Sequence, residues 1–490
     1  MVRWVLLMLA SGTAVLSAAG AVASGALDHR TDLSPADRDR VARILQPPAD
    51  FTAPEPFERM PGGGATTRIA RGPASFRQPL GNLDPDGEQT FGLGNGLFKK
   101  LWVAAPSSTQ ASDGLGPLYN ARACRSCHIN DGRGRSGGED GFVLRLGLPG
   151  PGGMDPHPVY GRQIQDRAAP GLSAEGRVAV TWTEEPVTLA DGAVVSLRRP
   201  AYSLADPAHG PLAEGVALSP RIAQPMIGLG LLEAIHEGDI LAAADPDDAD
   251  GDGISGRPNR VVDPATGAAG LGRFGWKAAE PTLRSQAAQA FSADMGLSTA
   301  FHPDPAGDCT AAQADCRARP TGVQARLGAE EIPDPVLDLV AFYARTVAVP
   351  MRETAADPLV LAGKRQFHAA GCASCHTPKF VTRRDAALKE LAFQLVWPYT
   401  DLLLHDMGDD LADGLAEGDA TGREWRTPPL WGLGHTEAVS GRTEYLHDGR
   451  ARSVLEAILW HGGEAAAARE HVIGLSKRDR DALIAFLHSL

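Results

Sequence analysis

Two short runs carry chemistry that nothing else in the chain matches: CRSCH at Cys124–His128 and CASCH at Cys372–His376. Two thiols at this spacing can add to the vinyl groups of one haem, and the histidine that follows reaches the iron as proximal ligand. The motifs therefore predict two covalently bound haem c groups, one on Cys124, Cys127 and His128, the other on Cys372, Cys375 and His376. Dithiol redox motifs and half-zinc sites also use CxxC, but neither accounts for a histidine directly after each second cysteine. The opposite face of each iron then decides function. A strong sixth ligand makes an electron-transfer haem, and an open position makes a site for peroxide or oxygen.

The chain has six cysteines, and the haem motifs use four. The other two, Cys309 and Cys316 in DCTAAQADC, are expected to form a local disulfide in an oxidising compartment. The N-terminus predicts export: Arg3 precedes an apolar run from Trp4 to about Ala23 that ends in small residues, the pattern of a signal peptide over 1–23. The periplasm is the expected location. The alternative, a retained membrane anchor, needs a run that is only marginally long enough to span. No later segment is comparably apolar, so no membrane span is expected in the mature chain. A net charge of −13 argues against nucleic acid as a partner. It would suit a basic electron-donor protein, although many acidic proteins have no such role.

The elements that position these residues follow from pattern. A length of 490 residues allows about two to four domains. Residues 24–95, rich in Pro and Gly, read as an irregular wrap. VAVTWTEEPVTL at 178–189 and AVVSLRRPAYSL at 193–204 read as a hairpin turning at Asp191-Gly192. Amphipathic helices are expected at 336–347 and 480–490, the second capped by Ser476 and Asp479. Class I cytochrome c domains pack such a terminal helix across the helix before the haem motif, which in the second half is LVLAGKRQFHAA at 359–370. The expectation is a mainly α protein of two cytochrome c-like domains, 96–350 and 351–490. The first would carry a long β-containing insertion at about 140–330.

An acidic loop, DPDDADGDGISGRPN at 245–259, offers Asp248, Asp250 and Asp252 on glycine-rich turns, which suits Ca²⁺. It is not an EF-hand, because no Glu stands at the twelfth position.

WRTPPLWGLGHTEAVSGRTEYLHDGRARSVLEAILWHGGEA, at 425–465, resembles the C-terminal signature of bacterial di-haem cytochrome c peroxidases. It is also similar to the di-haem enzyme that matures the tryptophylquinone of methylamine dehydrogenase. With YTDLLLHDMG at 399–408 and DADGDGISGRPN, it looks closer still to the di-haem oxidoreductase family, sometimes labelled thiol oxidoreductase. The thiol label finds no support, since every thiol has an expected partner. The resemblance spans most of residues 90–490. It implies that His461, fourteen residues after His447, is the distal ligand of the second haem, opposite His376. Met407 is the main rival and His405 a weaker one. RFGWKAAEPTLRSQAAQAFSADMG, at 273–296, resembles the peroxidases' distal segment. By that match Trp276 lies between the haems, Gln286 lines the distal pocket and Asp294 stands where the peroxidases place a glutamate. Lys277 and a shortened gap from Gln286 to Asp294 depart from the pattern. The relatives also imply a calcium between the haems, here on Asn259 and the carbonyls of Arg442 and Glu444. The implied activity is reduction of hydrogen peroxide, with electrons from a small periplasmic cytochrome c or cupredoxin. A peroxide-dependent oxidase of protein side chains and a plain electron carrier are the alternatives.

Overall fold

Glycine decides how the helices cross. The helix Pro85–Lys99 (α1) is capped by Asp84, whose carboxylate accepts from the Gly87 N–H, and begins with proline. It buries Phe91, Gly94 and Phe98, a spacing that keeps one face of a helix inward. That face lies on the helix Asp334–Thr346 (α2). A Cβ on Gly94 would sit 2.3 Å from the carbonyl oxygen of Leu339, so only glycine allows so close a crossing. The same device recurs in the second half. The helix Pro358–Ala369 (α3) packs on the C-terminal helix Lys477–Ser489 (α4). A Cβ on Gly363 would lie 1.9 Å from the Ala482 carbonyl oxygen. In each half the first helix of the pair leads toward a CxxCH run.

This computed structural model describes residues 27–69, 72–138, 140–150 and 153–490. The expected signal peptide over 1–23 lies outside the described residues. Among them, no helix is long and apolar enough to cross a membrane. The 24–95 segment is less irregular than expected: it holds a helix at Pro35–Ile44, capped by Ser34, and most of α1.

The expectation of a mainly α fold of two cytochrome c-like domains is overturned. Helix accounts for 29% of residues and strand for 18%, the strands falling in multiple small sheets. The physical reason is that most strands pair over two or three residues, too short for an alternating pattern to show. The longer ones do show it. Phe142–Gly150 (β1) pairs antiparallel with Ala217–Ile222 (β4). Arg177–Thr188 (β2) and Val194–Ala205 (β3) form a twelve-pair hairpin closed through Asp191 and Gly192. This hairpin lies against the C-terminal part of the chain. Arg198 donates to the carbonyls of Gly449 and Arg450, Tyr202 to Asp448, and Arg480 to Asp191 at the turn. The two largest apolar clusters each draw residues from both sides of position 350.

Candidate active site

Cys124–Cys127 form one helical turn, and His128 follows it out of helical geometry. The His128 Nδ1 lies 2.7 Å from the carbonyl oxygen of Gln224. A carbonyl only accepts, so Nδ1 carries the proton and Nε2 keeps its lone pair. The second motif repeats the arrangement, with His376 Nδ1 2.9 Å from the Tyr399 carbonyl. Burial pushes both imidazoles down to about 4, so both are neutral at pH 7. His461 has its Nδ1 2.7 Å from the carbonyl of Ala457, one helical turn back, and burial lowers it too. His376 and His461 lie close enough to interact electrostatically, so a proton on one disfavours a proton on the other. Three histidines thus present a free Nε2 while a backbone carbonyl fixes the other nitrogen, the tautomer control expected of metal-ligating imidazoles.

His405 differs. Its Nε2 lies 2.8 Å from Asp401 and its Nδ1 2.7 Å from Glu464. Burial opposes its charge, but the bonds to Asp401, Cys375 and Glu464 prevail and lift it to about 12. With both nitrogens protonated it has no lone pair for iron. The Met407 backbone sits against Gly462, beside His461, and the Met407 side chain packs on the apolar cluster that includes Trp460.

A cavity of about 680 Å³ opens on the first motif, a size ordinary for a cofactor or ligand site. Cys124, Cys127, His128, Trp276, Gln286 and Asp294 all line it. Gln286 and Asp294 share the helix Leu283–Met295, capped at Thr282. Eight residues is close to two turns, so both face one side of that helix, about 12 Å apart along its axis. The shortened gap keeps both on the cavity wall. Burial raises the Asp294 carboxyl above its ordinary value. Its Oδ1 accepts from Gln163 Nε2 at 2.9 Å. Trp276 is buried and donates from Nε1 to the Ile222 carbonyl at 2.8 Å. It meets the Trp425 and His447 rings edge-on at 6.5 and 6.4 Å, and those two stack at 3.9 Å. Lys277 is fully buried and points to Asp413 and the Thr421 carbonyl, outside the cavity lining.

Arg133 supplies a test of fit for a haem. It is buried in the cavity wall, yet its Nη1 has no hydrogen-bond partner among the described residues. Its guanidinium lies 5.9 Å from the Trp276 ring centroid and 5.8 Å from that of Tyr445. Burial lowers it to about 10, which still leaves it cationic. An unpaired buried cation beside two thiols and an imidazole fits a haem carboxylate.

The acidic loop is assembled otherwise than the sequence suggests. Carboxylate atoms of Asp245, Asp248 and Asp250 lie within 4.8 Å of one another. Asp252 stands outside that group, and Asp248, Asp250 and Asp252 each accept a backbone N–H, from Gly253, Asp252 and Ile254. Asn259 is fully buried elsewhere. Its amide donates to the carbonyls of Lys277 and Glu417 and its oxygen accepts from the Asp419 N–H. Glu444, expected to lend a carbonyl nearby, uses its carboxylate on Ser136. Cys309 and Cys316 are joined in a disulfide.

Sequence reasoning missed Gln163 and Arg133. Gln163 lies on a loop with no motif around it, and only the fold brings it to the cavity, whereas Arg133 follows His128 by five residues but has no pattern that marks it as a wall residue. Glu280, whose carboxyl burial also raises, lines it as well.

Two half-buried sites, each with a thiol pair and an imidazole presenting Nε2, define a di-haem redox protein. The chain belongs to the di-haem oxidoreductase family: the model of the family described as "Di-haem oxidoreductase, putative peroxidase" matches residues 58–140 and 161–490. No curated protein and no solved structure matches the chain.

Proposed function

We propose that this protein reduces hydrogen peroxide at the first haem, with the second haem relaying electrons to it. The observation that carries this reading is the difference between the two sites. His376 has a second imidazole, His461, as its neighbour. His128 faces a cavity in which it is the only histidine among the described lining residues, and whose wall holds a half-buried carboxyl, Asp294. Cys124, Cys127, Cys372 and Cys375 would hold the haems as thioethers, and Arg133 would pair with a haem carboxylate. Haem iron, when bound, supplies the peroxide site and the electrons for O–O cleavage. Asp294 takes the proton from bound peroxide and returns it to the leaving oxygen. Gln286 offers an amide to the same space, and Trp276 lies on the electron path. Calcium belongs on Asp245, Asp248 and Asp250, in the acidic loop. The protein works in the periplasm with a small cytochrome c or cupredoxin as donor.

Rapid-mixing absorbance after peroxide addition, with the second haem reduced, tests the reading. Reoxidation within milliseconds and sustained turnover with a donor cytochrome are expected. Slow reoxidation with both haems low-spin would replace the enzyme with an electron carrier.

A further inference from the structure

The distal carboxyl has a partner that fixes more than its position. Gln163 Nε2 donates to Asp294 Oδ1 at 2.9 Å and to Asn120 Oδ1 at 2.8 Å. The orientation of both amides is set, because Asn120 Nδ2 is spent on the Ile164 carbonyl and on Asp166. Asn120 must therefore turn its oxygen to Gln163, and Gln163 its nitrogen. The backbone holds this side chain in place. Asp308 Oδ2 accepts from the N–H groups of Arg162 and Gln163 at 2.7 and 3.0 Å, and the neighbouring Cys309 is bridged to Cys316. An amide nitrogen can only donate, so Asp294 Oδ1 can only accept there. Asp294 Oδ2 has no hydrogen-bond partner among the described residues, and the side chain lines the cavity.

We propose that Gln163 is a positioning residue that confines the Asp294 proton to Oδ2, the oxygen left for the haem cavity. The inference rests on the peroxidase reading for its purpose, though not for its measurement. A proton on Oδ1 would face another donor and be useless to a ligand in the cavity. Other charged groups face Asp294 without fixing its proton. Arg145 attracts it electrostatically, and the thiol sulfurs of Cys124 and Cys127 lie near it. Asp166 is one amide further away, and Glu280 and Glu417 line the same cavity.

Infrared pH titration of the haem-loaded protein tests this without peroxide. The Asp294 carboxyl band is identified as the one lost in Asp294→Asn. In Gln163→Met the donor is gone. The band should move to higher frequency, and its titration midpoint should rise by about one pH unit, because the lost bond stabilised the carboxylate. Gln163→Glu, nearly isosteric, should raise the midpoint further by setting two carboxyls side by side. It reads the same contact if the methionine variant does not fold. An unchanged band and midpoint in a folded variant would overturn the proposal. So would finding no band that Asp294→Asn removes at any pH. Failure of peroxide to reoxidise the haems would sink the peroxidase reading and leave this measurement standing.

Discussion

The Nδ1 of His461 lies 2.7 Å from the carbonyl oxygen of Ala457, four residues earlier in the helix Val454–Leu459, which ends just before His461. That bond commits the proton to Nδ1 and aims the lone pair of Nε2 away from the helix. His461→Met should keep a ligand there while exchanging imidazole for thioether, which raises haem potentials. A rise on the order of 0.1 V in the potential of the second haem is expected, a fraction of the ~0.8 V that axial ligands span. Potentiometric titration reads it. An unchanged potential would remove His461 from the iron, and the same titration on Met407→Leu would then show whether Met407 takes its place.

Asp294 is half-buried, raised in pKa and within the cavity of His128. Asp294→Asn keeps the shape and the bond from Gln163 but cannot shuttle a proton. The rate of peroxide reaction should fall by about 10²- to 10⁴-fold, the usual worth of a placed acid–base group. The absorbance spectrum of the resting haems should stay as it was. A fall below threefold in a protein with intact haems would assign the proton chemistry to another group, with Glu280 next in line.

The two CxxCH runs, the helices at 336–347 and 480–490 and the hairpin at 178–204 were legible because each has a spacing that only one structure explains. The sheet content was not. His405 pairs with Trp425 in a ladder only three residues long, Leu404–Asp406 against Glu424–Arg426, and no alternation can be read from three residues. The distal site was half legible. Trp276, Gln286 and Asp294 share one continuous segment, so a resemblance could carry them together. Gln163 reaches the cavity from a turn held by Asp308, about 130 residues away in sequence from Asp294, and no local pattern marks such a contact. The acidic loop was legible in part for a related reason. Spacing shows which carboxylates are available, while loop geometry decides that Asp245 converges and Asp252 does not.

Glu417 makes stability depend on acid. Its carboxylate meets Arg145 Nη1 at 2.6 Å and Arg221 Nη1 at 2.9 Å. Burial opposes the charge, but the two arginines and Lys277 outweigh it and hold the group at about 2. A depressed pKa contributes stability that is present above the unfolded value, about 4.3, and is lost as pH falls toward the folded one. The shift corresponds to about 3 kcal/mol. Denaturant melts of the haem-loaded protein should therefore weaken between about pH 4.5 and pH 2, and Glu417→Gln should flatten that dependence while costing stability at neutral pH. Parallel acid profiles for the two proteins would count against the pairing.

The glycine crossings give a prediction with its control on the same helix. Gly94 and Gly92 lie two residues apart in α1 and are equally helical. A Cβ at Gly94 would collide with the Leu339 carbonyl oxygen at 2.3 Å, whereas one at Gly92 meets nothing within 4 Å. Gly92→Ala should stabilise by about 0.5–1 kcal/mol, since alanine loses less backbone entropy in a helix. Gly94→Ala should instead cost on the order of 1–3 kcal/mol, because the backbones of α1 and α2 must separate and the packing of Phe91 and Phe98 on Tyr343 must loosen. Gly363→Ala should behave like Gly94→Ala, its Cβ facing the Ala482 carbonyl oxygen at 1.9 Å. Urea midpoints of the three variants measure this directly. If Gly94→Ala and Gly92→Ala shift the midpoint alike, helix propensity and not close approach explains the glycines, and the crossing of α1 on α2 is looser than its geometry indicates.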